Sequence, residues 1–157
     1  MTRRALCPTI GKPEGLAAKP HAAGPYGVSE GFMHFETILL VEDDGSLRSV
    51  MKLFLEHSGF GVLEADNGVD ALFMSGQHPG PIHLLLTDVE MSPMSGPELA
   101  EQVLLHRPET QVLFMSGNRQ PEDLFNDMCL LNAQFLGKPF NPSTLHHTVR
   151  QVLGAPG

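Results

Sequence analysis

Ile38-Leu39-Leu40-Val41-Glu42-Asp43-Asp44 decides the reading of this chain: four aliphatic residues in a row stop abruptly at three acids. A wholly apolar run this short suits a strand buried on both faces, because a strand with one wet face would alternate polar and apolar residues. After the acids, Leu47, Val50, Met51, Phe54 and Leu55 recur at helical spacing as far as His57, and Gly59 ends the segment. Asp44 is placed to cap that helix. The unit is therefore a buried strand, an acidic turn and an amphipathic helix.

The same unit repeats outward from this point. Phe60 to Glu64 reads as a second strand, and Asn67 with Asp70 three residues on opens a second helix. Ile82-His83-Leu84-Leu85-Leu86-Thr87 is a third strand that stops at Asp88. Ser95 and Glu98 have the spacing of a capping box with Pro97 in the first turn, and Leu99, Val103 and Leu104 form the inward stripe. Gln111 to Met115 is a fourth strand ending at Ser116-Gly117, followed by a weaker helix over about 122–131. Ala133 to Leu136 is a short fifth strand ending at Gly137-Lys138-Pro139. Asn141 caps a last helix opened by Pro142, with Leu145, Val149, Val152 and Leu153 inward. Five strands alternating with five helices imply right-handed crossovers and a doubly wound parallel α/β sheet.

Composition fits one such domain. The chain has 157 residues, 41% of them hydrophobic, yet no Trp and only 6% aromatics, so the core must be aliphatic. The charge is divided unevenly. Residues 1–36 carry four basic and three acidic side chains, and residues 37–157 carry six basic and fifteen acidic ones. So acidic a body argues against a nucleic-acid surface, which needs clustered Lys and Arg. No apolar run approaches the roughly 18 residues that cross a bilayer. Two cysteines make no disulfide scaffold. Residues 1–36, rich in Gly, Pro and Ala without periodicity, are expected to be a disordered tail, and residues 155–157 a short C-terminal tail. No second domain is expected after Gly154.

In a doubly wound sheet, function gathers at the carboxyl ends of the strands. Those ends carry Glu42-Asp43-Asp44, Asp88, Ser116-Gly117 and Lys138-Pro139. If strands one, three, four and five are neighbours, these groups meet in one cleft. A pair of like charges about 4 Å apart costs on the order of 4 kcal/mol at an effective dielectric of about 20, so the acids need compensation. Lys138 is one candidate and a hard divalent cation is the other. An acid cluster, one lysine and one hydroxyl around a lone carboxylate fit phosphoryl transfer, with Asp88 as nucleophile and Ser116 as hydrogen-bond donor.

From about Thr37 to Leu153 the chain resembles the receiver domain of bacterial two-component response regulators. The resemblance rests on ILLVEDD, LLLTDVEM followed by SPMSG, VLFMSG and FLGKPF in order and spacing. The wording is most similar to receivers of hybrid sensor histidine kinases. The resemblance implies a flavodoxin-like (βα)5 fold, strand order 2-1-3-4-5, with the receiver spanning 37–154. It implies that Asp88 is the phosphoacceptor and that Arg48, six residues beyond Glu42, fixes Glu42 and Asp43 as the acidic pair. Mg2+ would be ligated by Asp43, Asp88 and the backbone carbonyl of Glu90, with Glu42 acting through water. Lys138 and Ser116 would complete the chemistry. Ser116 and Phe135 would form the switch, and Lys138-Pro139 would be a cis peptide. The implied partners are a sensor histidine kinase or histidine phosphotransfer protein and an unspecified downstream protein. The implied setting is cytoplasmic, as a monomer or a phosphorylation-dependent dimer, with no nucleic acid or membrane.

Two departures stand out. Ser92 intervenes between Met91 and Pro93, where the family has Pro directly after the methionine, and Pro121 and Asn126 weaken the fourth helix. Glu90 and Asn118 occupy positions where the family tunes dephosphorylation. Two other readings are weighed. Asp88-Val89-Glu90 superficially resembles the D-x-D loop of haloacid-dehalogenase-type aspartyl-phosphate hydrolases, but Glu90 has the wrong length for the second acid. A pseudo-receiver that binds without phosphate is the other. The first of these would be an enzyme; the expectation is instead a phosphoacceptor that catalyses its own modification, with autodephosphorylation as its only turnover.

Overall fold

A computed structural model describes residues 35–154, and the expected tails 1–36 and 155–157 lie almost entirely outside them. The chain runs β1 (Thr37–Val41), α1 (Gly45–His57), β2 (Gly61–Ala65), α2 (Gly68–Gln77), β3 (Leu84–Asp88), α3 (Gly96–His106) and β4 (Gln111–Ser116). A 3-10 turn (Pro121–Leu124) leads into α4 (Phe125–Leu130), then β5 (Gln134–Gly137) and α5 (Pro142–Leu153). All pairings are parallel, in the order β2-β1-β3-β4-β5. The doubly wound sheet and its strand order are as expected.

Alternation along each strand builds two cores. Ile38, Leu40, Leu84, Leu86, Leu113, Met115 and Leu136 face α1 and α5, meeting Met51, Leu55, Leu145 and Val149. Leu39, Val41, Leu85, Val112 and Phe114 face the other way, onto Ala71 of α2, Leu99 and Val103 of α3, and Leu124. Both faces of the three central strands are dry, which is why these runs carry no polar alternation. The helices start where the caps place them. Asp44 Oδ1 accepts from the amides of Ser46 and Leu47, Asn67 from Asp70 and Asn141 from Thr144. Ser95 and Glu98 form a reciprocal capping box. Gly154 ends α5 in the left-handed region at φ 68°.

One side of the molecule is tied by Arg107, at the C-terminus of α3. Its guanidinium donates to the carbonyls of Ser75, His78 and Gly80, joining the end of α2 and the following loop to α3.

Several boundaries differ from the sequence reading. β3 begins at Leu84, two residues late: the Ile82 carbonyl accepts from the Thr110 hydroxyl, while His83 already bonds through its backbone to Thr37 and Gln111 at the strand's start. β2 and β5 are each shifted one residue toward the C-terminus, to Gly61–Ala65 and Gln134–Gly137. β4 includes Ser116. Val50, counted among the inward residues of α1, is 62% exposed. It lies about 100° around the helix from Met51, at the margin of the buried arc. The fourth helix is broken into the 3-10 turn and a six-residue α4, because Leu124 at its N-cap supplies no side-chain acceptor. Among the described residues, no helix is long and apolar enough to cross a membrane.

Candidate functional site

The acidic pair follows the last residue of β1, Asp88 is the last residue of β3, Ser116 the last of β4, and Lys138 follows β5. Parallel pairing sets these ends side by side, with Asp88 opposite Met115 and Ser116 opposite Gly137. The backbone continues the ladder past the strands: the Val89 amide donates to the Met115 carbonyl and the Lys138 amide to the Ser116 carbonyl, each at 2.9 Å. Side-chain alternation then extends the rows Ile38-Leu40-Glu42, Leu84-Leu86-Asp88 and Leu136-Lys138 on the α1/α5 face. Two apolar layers are thus capped by a charged one.

Lys138 Nζ donates to Glu42 Oε2 at 2.7 Å and to Asp88 Oδ2 at 3.0 Å. The second Asp88 oxygen accepts from the Glu90 amide at 3.1 Å, and the second Glu42 oxygen from the Asp44 amide at 3.2 Å. Glu42 is 1% exposed and Asp88 8%, whereas Asp43 stands exposed at the mouth. Burial pushes the Glu42 carboxyl above its ordinary value, and its hydrogen bonds with Lys138 and the Asp44 amide offset that only partly. Burial alone would draw the Lys138 ammonium down, but its bonds to Glu42 and Asp88 outweigh it and hold the group above the ordinary lysine value. The Glu42 direction follows from putting a charge where little water reaches it, and the Lys138 direction from pairing its ammonium with two carboxylates.

Glu42, Asp43 and Asp88 each offer a carboxylate oxygen, and these atoms all lie within 4.8 Å of one another. Three carboxylates against one ammonium leave an excess of two negative charges. The donor set is wholly oxygen and compact, which suits a small hard dication. The Glu42, Asp43, Asp88 and Lys138 side chains expected to converge therefore do so.

The remaining expected residues occupy the rim. The Ser116 hydroxyl is buried and accepts from the amides of Asn118 at 3.2 Å and Arg119 at 2.9 Å. Phe135 is half-buried, paired with Phe114 across β4 and β5, and packs on the core beneath α3 and α4. The Glu90 carboxylate accepts from Asn118 Nδ2 at 2.9 Å and Arg119 Nε at 3.3 Å, tying the loop after β3 to the loop after β4. Lys138-Pro139 is cis, as the resemblance implied, and Ser92-Pro93 is cis as well. Beside Asp43 and Glu90 an open groove of about 880 Å3 runs between α3 and α4, past Glu98, Glu101 and Asp127.

Two features escaped sequence reasoning. Arg48 does more than mark the register of the acidic pair: its Nη1 donates to the Glu42 carbonyl at 2.7 Å. Arg119 sits in an aperiodic loop, and nothing in its neighbours pointed to Glu90, 29 residues away.

The fold and this cluster agree with the comparisons. The family model of the response regulator receiver domain matches residues 38–150, and the chain belongs to that family. It is similar to the response regulator receiver protein CpdR of Brucella abortus, with 32% identity over 116 residues covering 74% of this chain and 95% of CpdR. Sensor kinase CckA of the same species is 34% identical over 119 residues, but these span 74% of this chain and only 12% of CckA. Among solved structures, the receiver domain of the hybrid histidine kinase CckA has a TM-score of 0.64 at 34% identity, covering 74% of this chain and 98% of that one. Chemotaxis protein CheY4 of Vibrio cholerae has a TM-score of 0.69 at 28% identity, covering 75% and 98%. The chain is thus a receiver domain of two-component systems, a family in which phosphorylation and Mg2+ binding are typical.

Proposed function

We propose that residues 37–154 accept a phosphoryl group on Asp88 from a phosphohistidine of a sensor histidine kinase or a histidine phosphotransfer protein, as a step in a phosphorelay. The observation that carries this is the Lys138 ammonium shared between Glu42 and Asp88, beside a second exposed acid, Asp43. In the transfer, the P–N bond of the phosphohistidine breaks with its electron pair left on the imidazole, and a P–O bond forms to the Asp88 carboxylate. Asp43, Asp88 and the Glu90 backbone carbonyl would hold Mg2+, with Glu42 acting through water. When bound, the ion supplies neutralising charge for the transferring oxygens.

The chain's own groups do the rest. The Glu90 amide and Lys138 orient the acceptor carboxylate before transfer. Phosphorylation adds about −1.5 to −2 charges and three acceptor oxygens. Lys138 then donates to one of these oxygens while keeping its bond to Glu42. Ser116 gives up the Asn118 and Arg119 amides and donates its hydroxyl to another. Phe135 turns into the space that Ser116 leaves, and the face of α4, β5 and α5 changes shape. Moving such an equilibrium from 1:99 to 99:1 takes about 5.5 kcal/mol of differential interaction, within reach of a few charge-assisted hydrogen bonds. That face meets the downstream protein, or a second copy of the domain once phosphorylated. The setting is the cytoplasm, and neither nucleic acid nor membrane is a direct partner.

The hydrolase reading is disfavoured by Glu90, whose carboxylate is engaged as an acceptor by Asn118 and Arg119 and so is poorly placed to deliver a proton. The test is phosphorylation of the full chain by a small radiolabelled acyl phosphate with Mg2+, read as protein-bound label that alkali releases. Asp88→Asn should abolish the alkali-labile label. A label that persists in the variant would assign the acceptor elsewhere.

A further inference from the structure

We infer that Arg48 is a positioning residue for the acidic pair, setting the direction in which Asp43 leaves the sheet; the inference rests on reading Glu42, Asp43 and Asp88 as a cation site. The argument starts at the end of β1. The Glu42 amide makes the last ladder bond toward β2, to the Ala65 carbonyl at 3.2 Å. The Glu42 carbonyl comes next, beyond the paired residues Val41 and Ala65. It is taken instead by Arg48 Nη1 at 2.7 Å, at the short end for a charge-assisted bond.

That carbonyl belongs to the same rigid plane as the Asp43 amide, because the peptide bond between them does not rotate freely. Holding the carbonyl therefore fixes the plane from which the Asp43 side chain departs. The guanidinium is itself held from the opposite side. Arg48 Nε lies 3.5 Å from Glu64 Oε2 on β2, and Lys52, one turn along α1, reaches the other Glu64 oxygen at 3.0 Å. The Arg48 side chain is 20% exposed, so water competes weakly for it. A closed circuit results: strand end, the Asp44 cap, the first turn of α1, and Arg48 back to the strand end. Asp43 lies inside this circuit and is exposed, so its placement depends on the backbone beneath it.

Charge and geometry predict opposite signs here. By Coulomb attraction alone, removing a cationic side chain beside an acidic cluster tightens the binding of a divalent cation. If Arg48 positions the ligands, its removal weakens binding, and losing such outer contacts costs 10- to 100-fold in metal affinity. The experiment is calorimetric titration of Mg2+ alone into the full-length wild type, Arg48→Ala and Arg48→Lys, with thermal unfolding followed by circular dichroism in metal-free buffer. Arg48→Ala should bind Mg2+ about 10-fold more weakly. Its phosphorylation rate by a small phosphodonor should recover as Mg2+ is raised to saturation. Arg48→Lys, which keeps the charge but reaches only one of the Glu42 carbonyl and Glu64, should lose a few-fold.

An Arg48→Ala protein that is folded and binds Mg2+ as tightly as wild type, or more tightly, overturns the inference. An arginine that merely supports the fold would lower the melting temperature and leave the affinity unmoved. If Arg48→Ala does not fold, Arg48→Lys decides, and wild-type affinity in that variant overturns the inference. A wild type that binds no Mg2+ would instead sink the reading of the site.

Discussion

Lys138 and Glu42 stand 96 residues apart in the chain and 2.7 Å apart in space, one beyond the edge strand β5 and the other beyond the central strand β1. The contact passes beside Asp88, on the strand next to β1, so a single ammonium serves two buried carboxylates. One positive charge is too little for three neighbouring acids, and the surplus governs the behaviour of the site.

The first prediction concerns that surplus. Mg2+ that binds only the folded protein stabilises it by RT ln(1 + [L]/Kd), about 2.7 kcal/mol at a hundred times Kd. Wild type should unfold at a visibly higher temperature with Mg2+ than with a chelator. Asp43→Asn should lose most of that increment while unfolding near the wild-type temperature in the chelator. Equal increments in the two proteins would show that Asp43 holds no cation.

The second concerns pH. Burial raises the Glu42 carboxyl above its ordinary value of 4.5 in the folded chain. A folded-state value above the unfolded one means that the native state holds the proton more tightly. Glu42 therefore contributes stability that is complete below about 4.5 and fades as pH rises through the folded value. In metal-free urea titrations from pH 4.5 upward, Glu42→Gln, which cannot ionise, should gain on wild type as pH rises. A difference between the two that does not vary with pH would contradict this.

The third concerns Gly96. Its amide donates to the Val89 carbonyl at 2.9 Å, and a Cβ built there would run into the Asp88 carbonyl oxygen and come within 3.0 Å of Val89 Cα. Both obstacles are backbone and cannot swing aside. Gly96→Ala should cost about 1–3 kcal/mol in urea unfolding and slow phosphorylation by shifting the acceptor strand end. Unchanged stability and rate would mean that the loop yields more readily than its packing implies.

The fourth concerns the cap of α3. Hydrogen bonds from the Ser95 backbone and side chain hold Glu98 below the usual carboxylate range. A lowered folded value gives stability that is present above about 4.5 and lost as pH falls through the folded value. Ser95→Ala should cost about 1 kcal/mol at neutral pH, and its deficit should shrink in acid. Chemical unfolding at pH 7 and pH 3 measures both.

The legible parts of this molecule were those fixed by local rules. Ile38 to Val41 and Leu84 to Leu86 announced strands buried on both faces, and Asp44, Asn67, Ser95 and Asn141 announced helix starts, because a cap or an apolar run needs only its neighbours. The convergence of Glu42, Asp88 and Lys138 was legible only through strand order, which the motifs ILLVEDD, LLLTDVEM and FLGKPF supplied. The segment after Ser116 was blurred because Leu124 gives α4 no cap and its length is set by packing. The contacts of Arg48 and Arg119 were missed because their partners, the Glu42 carbonyl and the Glu90 side chain, are chosen by loop shape in three dimensions.

Arg107 gives the molecule one fixed side. Its guanidinium grips three carbonyls at the end of α2 and the loop beyond, so displacing α2 against α3 would strand several acceptors at once. Movement started at Asp88 therefore meets a wall on the α2 and α3 side, and the domain resists bending there.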